Sequence, residues 1–127
     1  MAELKKILHI EDEEDIREIA KMVLELIGGF EVQQAECGDV ALAIVEGFAP
    51  DLLLVDVQMP GMSGPETIAA IRALPGFEST PAIFMTAKLV GSEAEALMQP
   101  SDLGVIGKPF DPNSLPDEIR ALWNTRA

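Results

Sequence analysis

Cysteine, tyrosine, positive charge and long apolar runs are all scarce in this chain. Cys37 is the single cysteine among 127 residues, so neither an internal disulfide nor a multi-cysteine metal site can form, and a reducing compartment suits it. Nine Lys and Arg stand against 22 Asp and Glu, a formal net charge of −13. Phosphate backbones are gripped by clustered cations, so no direct nucleic-acid partner is expected. The longest unbroken apolar run, Val40 to Val45, is far short of a membrane span, and the N-terminal Met1-Ala2-Glu3-Leu4-Lys5-Lys6 leads into only a short apolar stretch. The sequence alone therefore predicts a cytoplasmic protein with no membrane partner.

The chain does have an ordinary globular composition, 48% hydrophobic with six Met, five Phe and one Trp. Its length suits one domain over residues 1–127, and no second domain fits. The acidic excess is either a solvated surface or a cation site, and position along the chain must decide.

Leu52-Leu53-Leu54-Val55-Asp56 is the organising stretch. Four consecutive apolar residues suit a strand buried on both faces, and the strand ends on a carboxylate before Pro60-Gly61 turns the chain. In open α/β sheets ligands bind beyond the carboxyl ends of strands, which puts Asp56 at the mouth of a crevice.

Lys6 to Ile10 reads as a first strand that also ends on acids, Glu11-Asp12-Glu13-Glu14-Asp15. Apolar residues at Ile16, Ile19, Ala20, Val23, Leu24 and Ile27 follow helical spacing up to Gly28-Gly29. Phe30 to Gln34 reads as a second strand, with Asp39 as N-cap of a helix carrying Ala41, Ile44, Val45 and Phe48 on one face. Ser63-Gly64-Pro65-Glu66 has the pattern of a capping box opening a helix through Ile68, Ile71 and Leu74. Pro81 to Met85 is a fourth strand, a short helix follows at about Glu93 to Gln99, and Gly104 to Gly107 is a weak fifth strand. Ser114-Leu115-Pro116-Asp117 opens a last helix, with Trp123 as an apolar anchor. Strands and helices alternate five times without an internal repeat, which predicts one doubly wound α/β domain around a parallel sheet.

The strand ends then gather Glu11, Asp12, Asp56, Thr86 and Lys108 on one edge. Three carboxylates so close repel one another unless a cation is shared, and oxygen-only ligands favour a hard ion such as Mg²⁺. Asp56 could act as a carboxylate nucleophile toward phosphorus, with Lys108 opposing the phosphoryl charge and Thr86 hydrogen-bonding it. The Lys108-Pro109 bond is of the kind that tolerates cis geometry, which would aim the ammonium inward. His9, inside the first strand, reads as a packing residue, and Met59 and Met62 as apolar packing beneath the loop.

Ile7-Leu8-His9-Ile10-Glu11-Asp12-Glu13, Leu54 through Gly64, Met85-Thr86-Ala87-Lys88 and Lys108-Pro109-Phe110 together resemble the response-regulator receiver domain of two-component signalling, and among its members the stand-alone chemotaxis type. The resemblance runs from Leu4 to Trp123. It implies a flavodoxin-like (βα)5 fold with strand order 2-1-3-4-5. It also implies that Asp56 accepts phosphate from a histidine kinase or phosphotransfer protein. Glu11, Asp12, Asp56 and the Gln58 backbone carbonyl would hold Mg²⁺, while Thr86 and Lys108 read the phosphoryl group. Such a protein is not an enzyme on other substrates; it catalyses only its own phosphorylation and dephosphorylation. It signals through a downstream protein target, as a monomer or a phosphorylation-dependent dimer.

The chain departs from the family at several positions. Glu11-Asp12 stands where Asp-Asp is common, and Val105 stands where many members carry a switch aromatic. Ser101-Asp102 replaces a frequent Gly-Ala ahead of the fifth strand, so an unusual loop is expected there. Alternatives are a phosphorylation-independent pseudo-receiver, a receiver fragment of a larger regulator, and an aspartyl-phosphate phosphatase. The last usually needs an acid where Gln58 stands. The short helix near Glu93 to Gln99 is bounded by Gly91 and Pro100, and the segment from Lys88 to Leu103 is expected to be the part that responds to phosphorylation.

Overall fold

Leu52, Leu53, Leu54 and Val55 are wholly removed from solvent, and their alternation lets one short strand serve two cores. Successive strand side chains point to opposite faces, so Leu52 and Leu54 join one apolar cluster while Leu53 and Val55 join the other. Each such side chain contributes about 1.5–3 kcal/mol when fully buried.

The computed structural model describes residues 3–87 and 98–126. In chain order its elements are β1 (Lys6–Ile10), α1 (Glu14–Leu26), β2 (Glu31–Ala35), α2 (Gly38–Phe48), β3 (Leu52–Asp56), α3 (Gly64–Arg72), β4 (Ala82–Thr86), β5 (Asp102–Gly107) and α4 (Leu115–Trp123). The five strands pair in parallel in the order β2-β1-β3-β4-β5, as the family resemblance implied. Val23 and Leu24 of α1 pack with Leu115, Ile119 and Trp123 of α4 on one face of the sheet. Ala41, Val45 and Phe48 of α2 and Ile68 and Ile71 of α3 cover the other. The direction of winding reverses between β1 and β3, so the crevice at the carboxyl ends lies between the acids that follow β1 and Asp56.

The capping box that opens α3 is present. The Ser63 amide donates to Glu66 Oε1 at 3.0 Å, and the Glu66 amide donates to Ser63 Oγ at 3.3 Å. Asp39, by contrast, is not the N-cap of α2. Cys37 occupies that place without a side-chain bond, and Asp39 sits in the first turn, where its charge suits the helix dipole. Gly38, the first residue of α2, lies against Thr67 and Met62: an added Cβ would come within 2.6 Å of Thr67 Oγ1 and 2.8 Å of Met62 Sδ. The helix expected at about Glu93 to Gln99 falls mostly on residues 93–97, and it, with most of the segment from Lys88 to Leu103, lies outside the described residues.

Strand β5 starts two residues earlier than the weak Gly104–Gly107 pattern suggested. The reason is electrostatic. Asp102 is buried, its Oδ1 accepts from Arg72 Nη2 at 2.7 Å, and its Oδ2 accepts from the Gln99 amide at 2.7 Å. Arg72 also donates twice to the Thr80 carbonyl, at 3.2 and 2.8 Å, which ties the end of α3 to the strand entry. Asp102→Ala would leave that guanidinium short of its counter-charge in a largely buried place. The expected loss is about 3 kcal/mol, read as a lower urea midpoint. An unchanged midpoint would show that the pair is energetically idle.

Candidate phosphoacceptor site

Two backbone bonds bring the end of β1 and the end of β3 to the same edge. The Glu11 amide donates to the Ala35 carbonyl at 3.0 Å, continuing the ladder with β2, and the Val57 amide donates to the Met85 carbonyl at 3.1 Å beside β4. The Gly64 amide then donates to the Val57 carbonyl at 3.0 Å and closes the loop that follows Asp56. At the far side the Lys108 amide donates to the Thr86 carbonyl at 2.8 Å, and the Lys108–Pro109 peptide is cis.

These constraints converge on one ammonium. Lys108 Nζ donates to Glu11 Oε1 at 2.9 Å and lies 3.3 Å from Asp56 Oδ2. Glu11 Oε2 also accepts the Glu13 amide at 3.2 Å, and Arg17 Nη1 donates to the Glu11 carbonyl at 2.8 Å. Carboxylate oxygens of Glu11, Asp12 and Asp56 all lie within 4.8 Å of one another, with Asp12 exposed. An open cleft of about 170 Å³ is lined by Asp12, Glu13, Asp56, Gln58, Thr86, Ala87 and Lys108. The residues the sequence singled out are therefore together, with Glu13 added to the wall.

Lys108 is shared by Glu11 and Asp56, and the imbalance appears in the acidity of these two carboxyls. Burial pushes the Glu11 carboxyl up to about 7, with the bond from Lys108 opposing and the charge of Asp56 reinforcing the rise. Burial raises Asp56 too, against the charge of Lys108 and the bond from the Gln58 amide. Burial works to lower Lys108, but its bonds to Glu11 and Asp56 outweigh that and the ammonium is held more firmly than usual. Two like charges at the 4.8 Å limit repel by roughly 3.5 kcal/mol at an effective dielectric of 20. The donor set is all oxygen, acidic and open on one side, which fits a hard divalent cation.

A pH dependence follows. The folded Glu11 keeps its proton to about 7, whereas its ordinary value is 4.5, so across that window the folded chain binds more protons than the unfolded one. Metal-free stability should therefore be greatest below about 4.5 as far as Glu11 is concerned, and fall as pH rises through about 7. Comparing Glu11→Gln with the parent over that range by urea denaturation isolates this contribution, since the amide cannot titrate. Parallel curves for the two proteins would contradict it.

His9 is buried in its strand as the sequence implied, but its polar partners Gln34 and Arg17 went unread. His9 is fully buried, and burial lowers its imidazole to about 3, with Lys108 and Arg17 adding to the fall. Gln34, its register partner on β2, lies 3.0 Å from His9 Nδ1 and donates to the Arg17 carbonyl at 2.7 Å. The local signals were a histidine inside an apolar strand, a glutamine at an alternating position and an arginine on the inner side of α1.

Comparison with known proteins agrees with this geometry. The family model described as response regulator receiver domain matches residues 7–120. A response regulator of Synechocystis sp. is 31% identical over 123 residues, covering 96% of this chain and 53% of that protein. The phosphate regulon transcriptional regulatory protein PhoB of Pseudomonas aeruginosa is 34% identical, over 93% of this chain and 51% of its own length. The chain thus spans about half the length of these two relatives. The solved structure of the chemotaxis response regulator CheY4 of Vibrio cholerae superposes with a TM-score of 0.81 at 28% identity, covering 94% of this chain and 99% of that one.

Proposed function

Since the chain belongs to the response regulator receiver domain family, we propose that it carries its signal as a phosphoryl group on Asp56. The donor is a histidine kinase or phosphotransfer protein. A carboxylate oxygen of Asp56 attacks phosphorus, the bond from phosphorus to the donor imidazole breaks, and the imidazole leaves with the electron pair. Lys108, already 3.3 Å from the Asp56 carboxylate, opposes the charge of the phosphoryl oxygens. Thr86, at the end of β4 and on the cleft wall, offers its hydroxyl to one of those oxygens. Mg²⁺, for which the carboxylates of Glu11, Asp12 and Asp56 and the Gln58 backbone carbonyl are the candidate ligands, would supply further positive charge to the group in transfer.

The observation that carries this reading is the convergence of three carboxylates and one ammonium on a cleft at the sheet's winding reversal. The chain acts on no substrate beyond its own aspartate, and its output is a change in the surface offered to a protein target, as monomer or phosphorylation-dependent dimer. A cytoplasmic setting suits it; no helix among the described residues is long and apolar enough to cross a membrane. The length of the curated relatives supports a second reading, in which this receiver is the input part of a longer regulator.

Asp12 provides the cleanest test because it is exposed. Asp12→Ala should weaken Mg²⁺ affinity roughly tenfold or more and slow phosphorylation by acetyl phosphate without lowering stability. Titration calorimetry measures the first effect. Unaltered Mg²⁺ affinity would remove Asp12 from the cation site.

A further inference from the structure

His9 and Gln34 are register partners on β1 and β2, and their contact has only one consistent assignment of protons. The Arg17 carbonyl can only accept, so the Gln34 atom 2.7 Å from it is the amide nitrogen. That same nitrogen lies 3.0 Å from His9 Nδ1 and points its second proton there. Nδ1 is therefore the acceptor, and the proton of the neutral ring sits on Nε2. Nε2 is buried with no hydrogen-bond partner among the described residues. An unpaired buried donor destabilises a fold, so packing alone gives no account of an imidazole here; an aliphatic side chain would fill the strand without that cost.

What the imidazole does hold is a chain of bonds that ends on the acidic loop. Nδ1 and the Arg17 carbonyl use both protons of the Gln34 amide, and the Arg17 guanidinium donates to the Glu11 carbonyl at 2.8 Å. Lys21 Nζ, one turn further along α1, donates to the Val32 carbonyl at 3.1 Å and pins the same helix to β2. The start of α1 is thereby fixed against the sheet by polar bonds on the side that bears Glu11. We propose that His9 and Gln34 are positioning residues for the cation site, holding Arg17 so that the backbone at Glu11 presents its carboxylate and that of Asp12 toward Asp56. The inference rests on the phosphoacceptor reading of that site. Outer partners that orient ligands typically change metal affinity by about 10–100-fold when removed.

The test uses the full chain and four proteins: wild type, His9→Leu, Gln34→Met and His9→Asn. His9→Leu and Gln34→Met remove the acceptor and the donor. The Asn carboxamide oxygen can replace Nδ1 as an acceptor. Mg²⁺ titration should show affinity lowered roughly tenfold in the first two variants and kept within about twofold in His9→Asn. Thermal unfolding of metal-free His9→Leu should occur close to wild type, because losing the unpaired Nε2–H offsets the Gln34 proton left without its acceptor. In metal-free protein the amide resonances of Glu11, Asp12 and Glu13 should shift in His9→Leu and Gln34→Met.

Unchanged Mg²⁺ affinity in both variants, while wild type binds, would overturn the positioning role and leave the phosphoacceptor reading standing. Equal weakening in His9→Asn and His9→Leu would overturn the role of Nδ1 as acceptor. Failure of wild type to bind Mg²⁺ would overturn the cation site itself. Unmoved amide resonances at Glu11 to Glu13 would overturn the positioning role independently of the metal.

Discussion

Asp56→Asn is expected to abolish phosphate uptake from acetyl phosphate while leaving the domain folded. The amide has no anionic oxygen to attack phosphorus, and none of the neighbouring acids can substitute without rearranging the cleft, because Glu11 is committed to Lys108 and to the Glu13 amide. The fold should tolerate the change. Burial raises the Asp56 carboxyl, so its charged form costs stability in the folded chain, and a neutral isostere removes that cost. Lys108 keeps its bond to Glu11 at 2.9 Å. Loss of labelling with a melting temperature equal to or above wild type at neutral pH is the expected pair of results. Labelling that persists at the wild-type level would transfer the nucleophile elsewhere, and a collapsed melting temperature would make Asp56 a structural residue.

Gly64→Ala should be strongly destabilising. A Cβ on Gly64 would overlap the carbonyl oxygen of Asp56 and lie 3.1 Å from the Val57 Cα, and both are backbone atoms held by the sheet and the loop closure. Neither can swing aside as a side chain would. The start of α3 must move away or Asp56 must be displaced, at a cost of about 3 kcal/mol by comparison with overpacked cores. Gly47→Ala is the matched control: nothing lies within 4 Å of its added Cβ, and it stands inside α2. That change should stabilise by about 0.5 kcal/mol through helix propensity. Opposite shifts of the urea midpoint are expected, and a Gly64→Ala midpoint equal to wild type would show that the approach of α3 to Asp56 is not tight.

The local grammar of the chain was enough to find most of this. The four-residue apolar run of β3 gave a strand buried on both faces, and Ser63 with Glu66 gave the start of α3, because each is written within a few neighbouring residues. The site was legible for a different reason: in a parallel sheet all carboxyl ends share an edge, so a list of strand-terminal residues is also a list of neighbours. Lys108 and Glu11, 97 positions apart, could be paired on that ground alone.

Where local pattern competed with distant contacts, it misled. Asp39 has the right chemistry for an N-cap, yet the close approach of Gly38 to Thr67 and Met62 goes with a helix that starts before it. Asp102 looked like loop because a carboxylate in a strand is unfavourable unless paired, and its partner Arg72 lies 30 residues earlier. His9 is buried, as its place in an apolar strand implied, but nothing nearby in sequence reveals that Gln34 stands opposite it, 3.0 Å from Nδ1.

The account rests most heavily on Asp56 being a Mg²⁺-dependent phosphoacceptor. Intact-mass measurement of the wild-type chain after incubation with acetyl phosphate, with Mg²⁺ and with Mg²⁺ chelated, tests it directly, with peptide mapping to locate the modification. The account predicts one added phosphoryl group, on Asp56, when Mg²⁺ is present and little or none when it is chelated. No addition under either condition, or addition to another residue, would contradict it.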